Sequence, residues 1–201
     1  MRIGECLQFG WETFKRHASA FVVIGLVLFL ANAAAQFASA VVLRRFGSAL
    51  GMLISGLFWG GLMVAARKAA RGEEPSLADA FEPFRQRPGD YIIVGFATEI
   101  GVLACGVGAL VTTFLFLFAP LCVAEGGDWK QSLIRSKDLM LANVGEAIVF
   151  YLVLAAMNLV GALALGVGLL VSMPVSALAI VKAYEQAATP AVLPPASPVT
   201  V

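Results

Sequence analysis

The sequence predicts an all-α polytopic membrane protein with six transmembrane helices arranged as three hairpins, each preceded by a cytoplasmic amphipathic helix at the interface. Three observations lead there. Hydrophobic residues make up 60% of the chain and charged residues 13%, with a mean hydropathy of +0.87, far from the balance of an ordinary soluble domain. Four uncharged runs, Ala18 to Leu43, Phe46 to Ala66, Ile100 to Ala124 and Ala147 to Val181, each exceed the roughly 18 residues that mark a spanning candidate. Finally, a segment containing Gly-Val-Gly, first met at Gly106 to Gly108, returns at Gly166 to Gly168.

The chain opens on an amphipathic helix. Ile3, Cys6, Leu7, Trp11 and Phe14 share one face, and Arg2, Glu5, Gln8, Glu12 and Lys15 the other, which suits the headgroup region. A cleaved signal peptide with Phe21 to Leu30 as its apolar core is not expected, because Glu5 and Glu12 precede that core where a basic segment belongs. The first two runs then make a hairpin with its tip at residues 44–48. Gly47, Gly51, Ser55, Gly56 and Gly60 form a small-residue ridge on the second crossing, read as a packing surface inside the chain in preference to a dimer contact.

The second unit starts at Pro75. Ser76 and Asp79 have the spacing of a capping box, Leu77, Phe81 and Phe84 lie on one helical face, and Pro83 keeps this helix short. The third unit starts with a helix over Trp129 to Asn143, where Trp129, Leu133, Ser136 and Met140 form a stripe and Lys130, Arg135, Lys137 and Asp138 lie elsewhere around it.

The last uncharged run holds 35 residues. As one straight helix it would extend about 52 Å, against a hydrocarbon core of about 30 Å, so it must turn back. Gly166 and Gly168 are the expected turn, since glycine removes the side-chain barrier to left-handed backbone. Laying residues 91 to 111 over 151 to 171 matches Tyr91, Gly101, Leu103, Ala104, Gly106, Val107, Gly108, Leu110 and Val111 with identical residues, nine of 21 positions. An internal repeat follows, with Gly106 and Gly108 as the turn of the second hairpin. Charge tests this arrangement: with tips at 44–48, 105–108 and 165–168, twelve Lys and Arg fall on one side and only Arg44 and Arg45 on the other. Both termini are then cytoplasmic at an inner membrane. A five-crossing alternative, with Tyr91 to Ala124 as one helix, would send Lys130, Arg135 and Lys137 outside and break the repeat.

Residues 1–185 therefore read as one membrane domain, in units of about 1–70, 71–125 and 126–185. Residues 186–201, rich in Ala and Pro and free of charge, read as a disordered cytoplasmic tail.

The segments between the runs carry a resemblance. "GWETFKRH" from Gly10, "RGEEPSLADAF" from Arg71 and "APLCVAEGGDWKQSLIRSKDLMLAN" from Ala119 resemble small bacterial polytopic membrane proteins related to the membrane domain that precedes some glycerophosphoryl diester phosphodiesterases. Pro120, Glu125, Gly126, Ser132, Leu133, Ser136, Leu139 and Asn143 fall on that family's recurring positions. The resemblance implies a six-helix inner-membrane protein, mostly without an assigned activity. It does not extend to a catalytic barrel, and Gly106-Val-Gly108 stands where the family often has Pro-Gly.

Candidate functional residues form two groups. Glu99, nine residues beyond Asp90, lies about 13 Å into the bilayer by helical rise, where an ionisable group is a functional hypothesis by default. Asn32, Gln36 and Asn158 are its candidate partners, either along a polar path or as hydrogen-bonding glue that fixes helix register. The second group, Glu125, Ser132, Ser136 and Asn143, is read either as a contact for lipid headgroups or a protein partner, or as caps and solvated surface. Pro174 is expected to kink the last crossing.

No basic stripe supports nucleic-acid binding. Cys6, Cys105 and Cys122 are scattered, and His17 stands alone, so no metal or cofactor is expected. Neither a nucleotide-binding loop nor a nucleophile with a base is present, and enzyme activity is not expected. The expected function is a non-enzymatic membrane factor contacting lipid or envelope proteins through its cytoplasmic helices. The alternative is a small transporter or channel using Glu99. Oligomeric state is not legible.

Overall fold

The computed structural model describes residues 2–42, 47–99, 107–164 and 168–188, and every element in them is helical. The helices are α1 (Ile3–Arg16), α2 (Ala18–Val42), α3 (Gly47–Ala70), α4 (Leu77–Ala80), α5 (Glu82–Gln86), α6 (Pro88–Glu99), α7 (Val107–Leu115), α8 (Ala119–Ala124), α9 (Trp129–Ala142), α10 (Val144–Leu163) and α11 (Leu169–Ala188). Two of them contain segments long and apolar enough to cross a membrane, Ala18–Ala38 and Val144–Leu163, of which only 17% and 22% is buried. The expected turns at Gly106 and Gly166, the tip at Arg44 and Arg45, and residues 189–201 of the expected tail lie outside the described residues, while residues 186–188, expected to be disordered, continue α11. Gly108 is a correction: it belongs to the first turn of α7, not to the turn before it. A glycine weakens a helix by only about 1 kcal/mol, too little to bar it from a first turn.

Helix α11 occupies the centre. Every residue from Pro174 to Val181 is buried, and α1, α2, α3 and α10 pack around it. A helix apolar on all sides with Ser and Ala at many positions needs this kind of enclosure. Helix α1 runs antiparallel along its second half: the Arg2 amide donates to Gln186 Oε1 (2.8 Å), the Lys182 ammonium lies 5.2 Å from the Phe9 ring centre, and Gly10 meets Val175 and Ala179. The expected headgroup face of α1 is corrected accordingly. Cys6, Gly10, Thr13 and Phe14 are buried against the protein, and Trp11 alone of the large residues on that face points outward. The reason is Gly10, where a β carbon would sit 2.7 Å from the Val175 carbonyl oxygen.

Helix α3 ends in a Schellman motif. The Gly72 amide donates to Ala69 O (3.0 Å) and the Glu73 amide to Lys68 O (3.3 Å), with Gly72 at φ +83°, a left-handed position that glycine occupies without a Cβ clash. The chain returns along α3 through the capping box, in which the Asp79 amide donates to Ser76 Oγ and the Ser76 amide to Asp79 Oδ2 (2.8 Å). Lys68 reaches both Asp79 carboxylate oxygens at 3.0 Å. Phe81 and Phe84 pack inward, with Phe84 edge-on to Phe58, while Leu77 is exposed. Burial raises the Asp79 pKa, but the Ser76 hydroxyl and the Lys68 ammonium outweigh it and hold the carboxyl below its ordinary value.

Two outcomes follow for stability. Gly10→Leu, which drives a side chain into α11, should lower the unfolding free energy in detergent by about 3 kcal/mol, whereas Gly4→Leu, with nothing within 4 Å, should not lower it, because leucine is a better helix former than glycine by up to about 1 kcal/mol. Asp79→Asn should destabilise at neutral pH. Because the folded-state pKa of Asp79 is depressed, its contribution is complete above the ordinary carboxylate pKa and is lost as pH falls through the folded value. Denaturant unfolding of both proteins across that range should show the difference closing on the acid side.

Candidate functional site

The site is built by the crossing of α3 and α6. The two backbones touch at Gly56 and Gly95: a β carbon on Gly56 would lie 2.5 Å from the Tyr91 carbonyl oxygen and 2.7 Å from Gly95 Cα. Close approach at small residues is how helices associate where no hydrophobic drive operates between them. One residue before Gly56, the Ser55 hydroxyl donates to Glu99 Oε1, one turn beyond Gly95. The glycine contact thus sets the carboxyl against α3.

Helices α2 and α11 complete a cavity of about 300 Å³ around this pair. Asn32 comes from α2, and its Oδ1 is buried with no hydrogen-bond partner among the described residues. Phe29 from α2, Phe58, Trp59 and Leu62 from α3, and Leu170, Met173 and Pro174 from α11 form the walls. Pro174 has no N–H for the Leu170 carbonyl one turn earlier. Phe29 and Met173 are 53% and 40% exposed, so the cavity reaches the apolar flank of the molecule.

The other two residues expected with Glu99 lie elsewhere. Asn158 joins α10 to α11: its Nδ2 donates to Ser176 Oγ (2.8 Å) and Leu154 O (2.9 Å), and its Oδ1 accepts from Ser172 (2.9 Å). Gln36, one turn past Asn32, is exposed and does not line the cavity. A parallel exists in the second unit, where the Thr112 hydroxyl donates to Thr98 O (2.6 Å). Fourteen residues of straight helix would separate those atoms by about 21 Å, so the chain doubles back between 98 and 112, and the single long helix of the five-crossing alternative is absent.

The second group of candidates is largely internal. Ser132 and Ser136 are 1% and 0% exposed, which corrects the expectation of an outward face. Pro120 denies a hydrogen bond to Phe116 O and breaks the chain between α7 and α8. The Ser136 hydroxyl fills that break, donating to Leu115 O (2.8 Å) and accepting from the Phe118 amide (3.1 Å). The sequence reading missed this role; Pro120 interrupting an apolar run was the one signal that could have found it. Asn143 sits half-buried at the junction of α9 and α10 and makes no side-chain cap.

Glu125 is the tie among the three units. It accepts from the Tyr184 hydroxyl (2.6 Å) and pairs with Arg135 (3.2 Å) and Arg67 (3.8 Å). Arg67 also donates to Ala124 O (2.5 Å), and the Arg135 guanidinium lies 5.5 Å from the Tyr184 ring centre. Beside it, Arg87 donates to the carbonyls of Gly126 (2.9 Å) and Gly127 (3.0 Å), and the Trp129 amide donates to Asp90 (3.2 Å).

No protein-family model, curated protein or solved structure matches this chain.

Ser136→Ala strands Leu115 O and the Phe118 amide in a buried place and should lower stability by about 1–3 kcal/mol. Lys137→Ala, one residue along on the exposed side of α9, should leave thermal unfolding of the detergent-solubilised protein close to that of the parent.

Proposed function

We propose that the chain is an integral membrane protein of six crossings in three hairpins, and that its working part is the cavity at Glu99, where a small solute or ion binds on a path across the bilayer. The cavity carries this reading. A carboxyl group, an amide oxygen without a partner among the described residues and a serine hydroxyl converge in a space open to an apolar flank, and an ionisable group so placed is retained for a use or a partner.

Several observations support the membrane placement. The outward faces of α2 and α10 present Val22, Val23, Leu26, Leu30, Leu152, Leu159 and Val160 to the surroundings, an extent of exposed apolar surface that lipid covers and water does not. Thr98 with Thr112 and Asn158 with Ser172 are bonded pairs at matching positions sixty residues apart, as a duplicated hairpin requires. The Lys and Arg bias supports a reading with both termini in the cytoplasm of an inner membrane.

A second reading, a non-enzymatic factor that holds lipid or envelope proteins through α1 and α9, has one observation in its favour: Trp11 on α1 and Trp129, Ile134 and Leu141 on α9 stay exposed beside charged residues of the same helices. It loses Ser132 and Ser136, which are internal. The resemblance to phosphodiesterase-associated membrane domains agrees with either reading.

Cys6 is buried and burial raises its thiol pKa, so it makes a poor topology reporter. In a protein whose only thiol is Cys105, an impermeant maleimide should label intact cells, whereas a sole thiol at Glu73→Cys should react only in inverted vesicles. Proteoliposomes should show solute or ion flux that falls at least about tenfold in Glu99→Gln, corresponding to about 1.4 kcal/mol or more. Flux of every tested species equal in the two proteins removes Glu99 from the function.

A further inference from the structure

The Glu99 cavity has a chemical bias beyond its mere presence. Among the described residues its one ionisable group is the Glu99 carboxyl, which receives the Ser55 hydroxyl, while its other polar groups, the Asn32 amide and the Trp59 indole N–H, are neutral. Among the described residues no Lys, Arg or His lines it. An anion would meet the Glu99 carboxylate with no cation among the described residues to offset it, and a neutral apolar molecule would leave that carboxylate without a counter-charge.

A bare inorganic ion fits poorly as well. Hard divalent cations take about six to eight oxygen ligands, and the walls here are mostly Leu28, Phe29, Phe58, Trp59, Leu62 and Met173. Those aromatic faces are suited instead to the weakly hydrated charge of an organic ammonium, which is attracted to the ring quadrupole. The mouth between the exposed Phe29 and Met173 opens where, on the membrane reading above, lipid lies, so the ligand arrives by partitioning into the bilayer.

We propose that this cavity is a binding site for a lipophilic organic monocation, an alkyl- or arylammonium whose charge pairs with Glu99 and whose apolar body packs against Phe29, Phe58 and Trp59. The proposal rests on the reading of the Glu99 cavity as a ligand site and adds the class of ligand. The charge of the carboxylate is then compensated by the ligand in the bound state, with the neutral Asn32 amide in the wall beside it.

Trp59 reports on this site directly. Trp11 and Trp129 are the other tryptophans and lie on α1 and α9, away from the cavity, so Trp11→Phe with Trp129→Phe leaves a single indole in the wall. The full chain in lipid nanodiscs is titrated with benzyltrimethylammonium, with its uncharged carbon isostere neopentylbenzene and with the anion phenylmethanesulfonate. The expected result is a saturable change in Trp59 emission with the cation, at least about tenfold weaker binding in Glu99→Gln, weaker binding in Asn32→Ala, and no change in Asn158→Ala. Glu99→Asp keeps the charge and should retain part of the affinity, which separates loss of charge from loss of fold.

If neopentylbenzene binds as tightly as the cation, or if Glu99→Gln binds the cation undiminished, the cation assignment is overturned while the cavity stands as a ligand site. If none of the three probes changes Trp59 emission saturably in a protein that is folded and monodisperse, the cation assignment and the ligand-site reading fall together. Thiol labelling that contradicts the six crossings, alongside Glu99-dependent cation binding, instead removes the proposed topology and leaves the ligand class in place.

Discussion

Backbone-to-backbone contact at small residues is the constraint on which the rest of this fold depends. Gly10 lies on the α11 backbone, Gly56 on Gly95, Gly61 on the Ala80 carbonyl, and Gly161 on Gly168. In each case a single β carbon would collide with main chain. Apolar side chains around these points fill space, but they set no register, because leucine and valine pack acceptably in many arrangements. The glycine contacts do set it. They place α11 in the middle, wrap α1 along it, and bring the α3 and α6 faces together so that Ser55 meets Glu99.

Polar groups inside this structure follow the same economy. Ser136 serves the interruption that Pro120 creates, Thr112 ties α7 to α6, Asn158 ties α10 to α11, and Ser172 and Ser176 answer Asn158. Each is a side-chain answer to a group that apolar surroundings would leave unpaired. Three buried polar atoms, Asn32 Oδ1, Ser132 Oγ and Gln186 Nε2, have no such answer among the described residues, and of these three residues Asn32 lines the cavity that Glu99 lines.

At the charged end, one carboxylate does what the glycines do in the interior. Glu125 draws Arg67 from α3, Arg135 from α9 and the Tyr184 hydroxyl from α11 to one point. With side chains between a quarter and a half exposed, the separate pairs contribute little to stability. Their effect is geometric, because a carboxylate that accepts from one element and pairs with the charges of two others fixes where those elements end relative to one another.

Composition and periodicity were enough to establish that the chain is helical, where its apolar segments run, and that Ser76 with Asp79 caps a short helix, because these depend on local chemistry and on the 3.6-residue period. Glu99 was legible as a site for a similar reason: a carboxyl within an uncharged run is costly wherever the helices lie. Its surroundings were not legible. Asn32 and Asn158 look alike along the chain, both single amides in apolar helices, and only packing sends one to the cavity and the other to Ser172 and Ser176. Ser132 and Ser136 read as surface because small polar side chains usually are; burial beside a broken helix reversed that. Tertiary structure alone decided that α1 rests on protein, since the absence of a side chain at Gly10 is invisible to any pattern of apolar and polar residues, yet it is what lets two backbones meet.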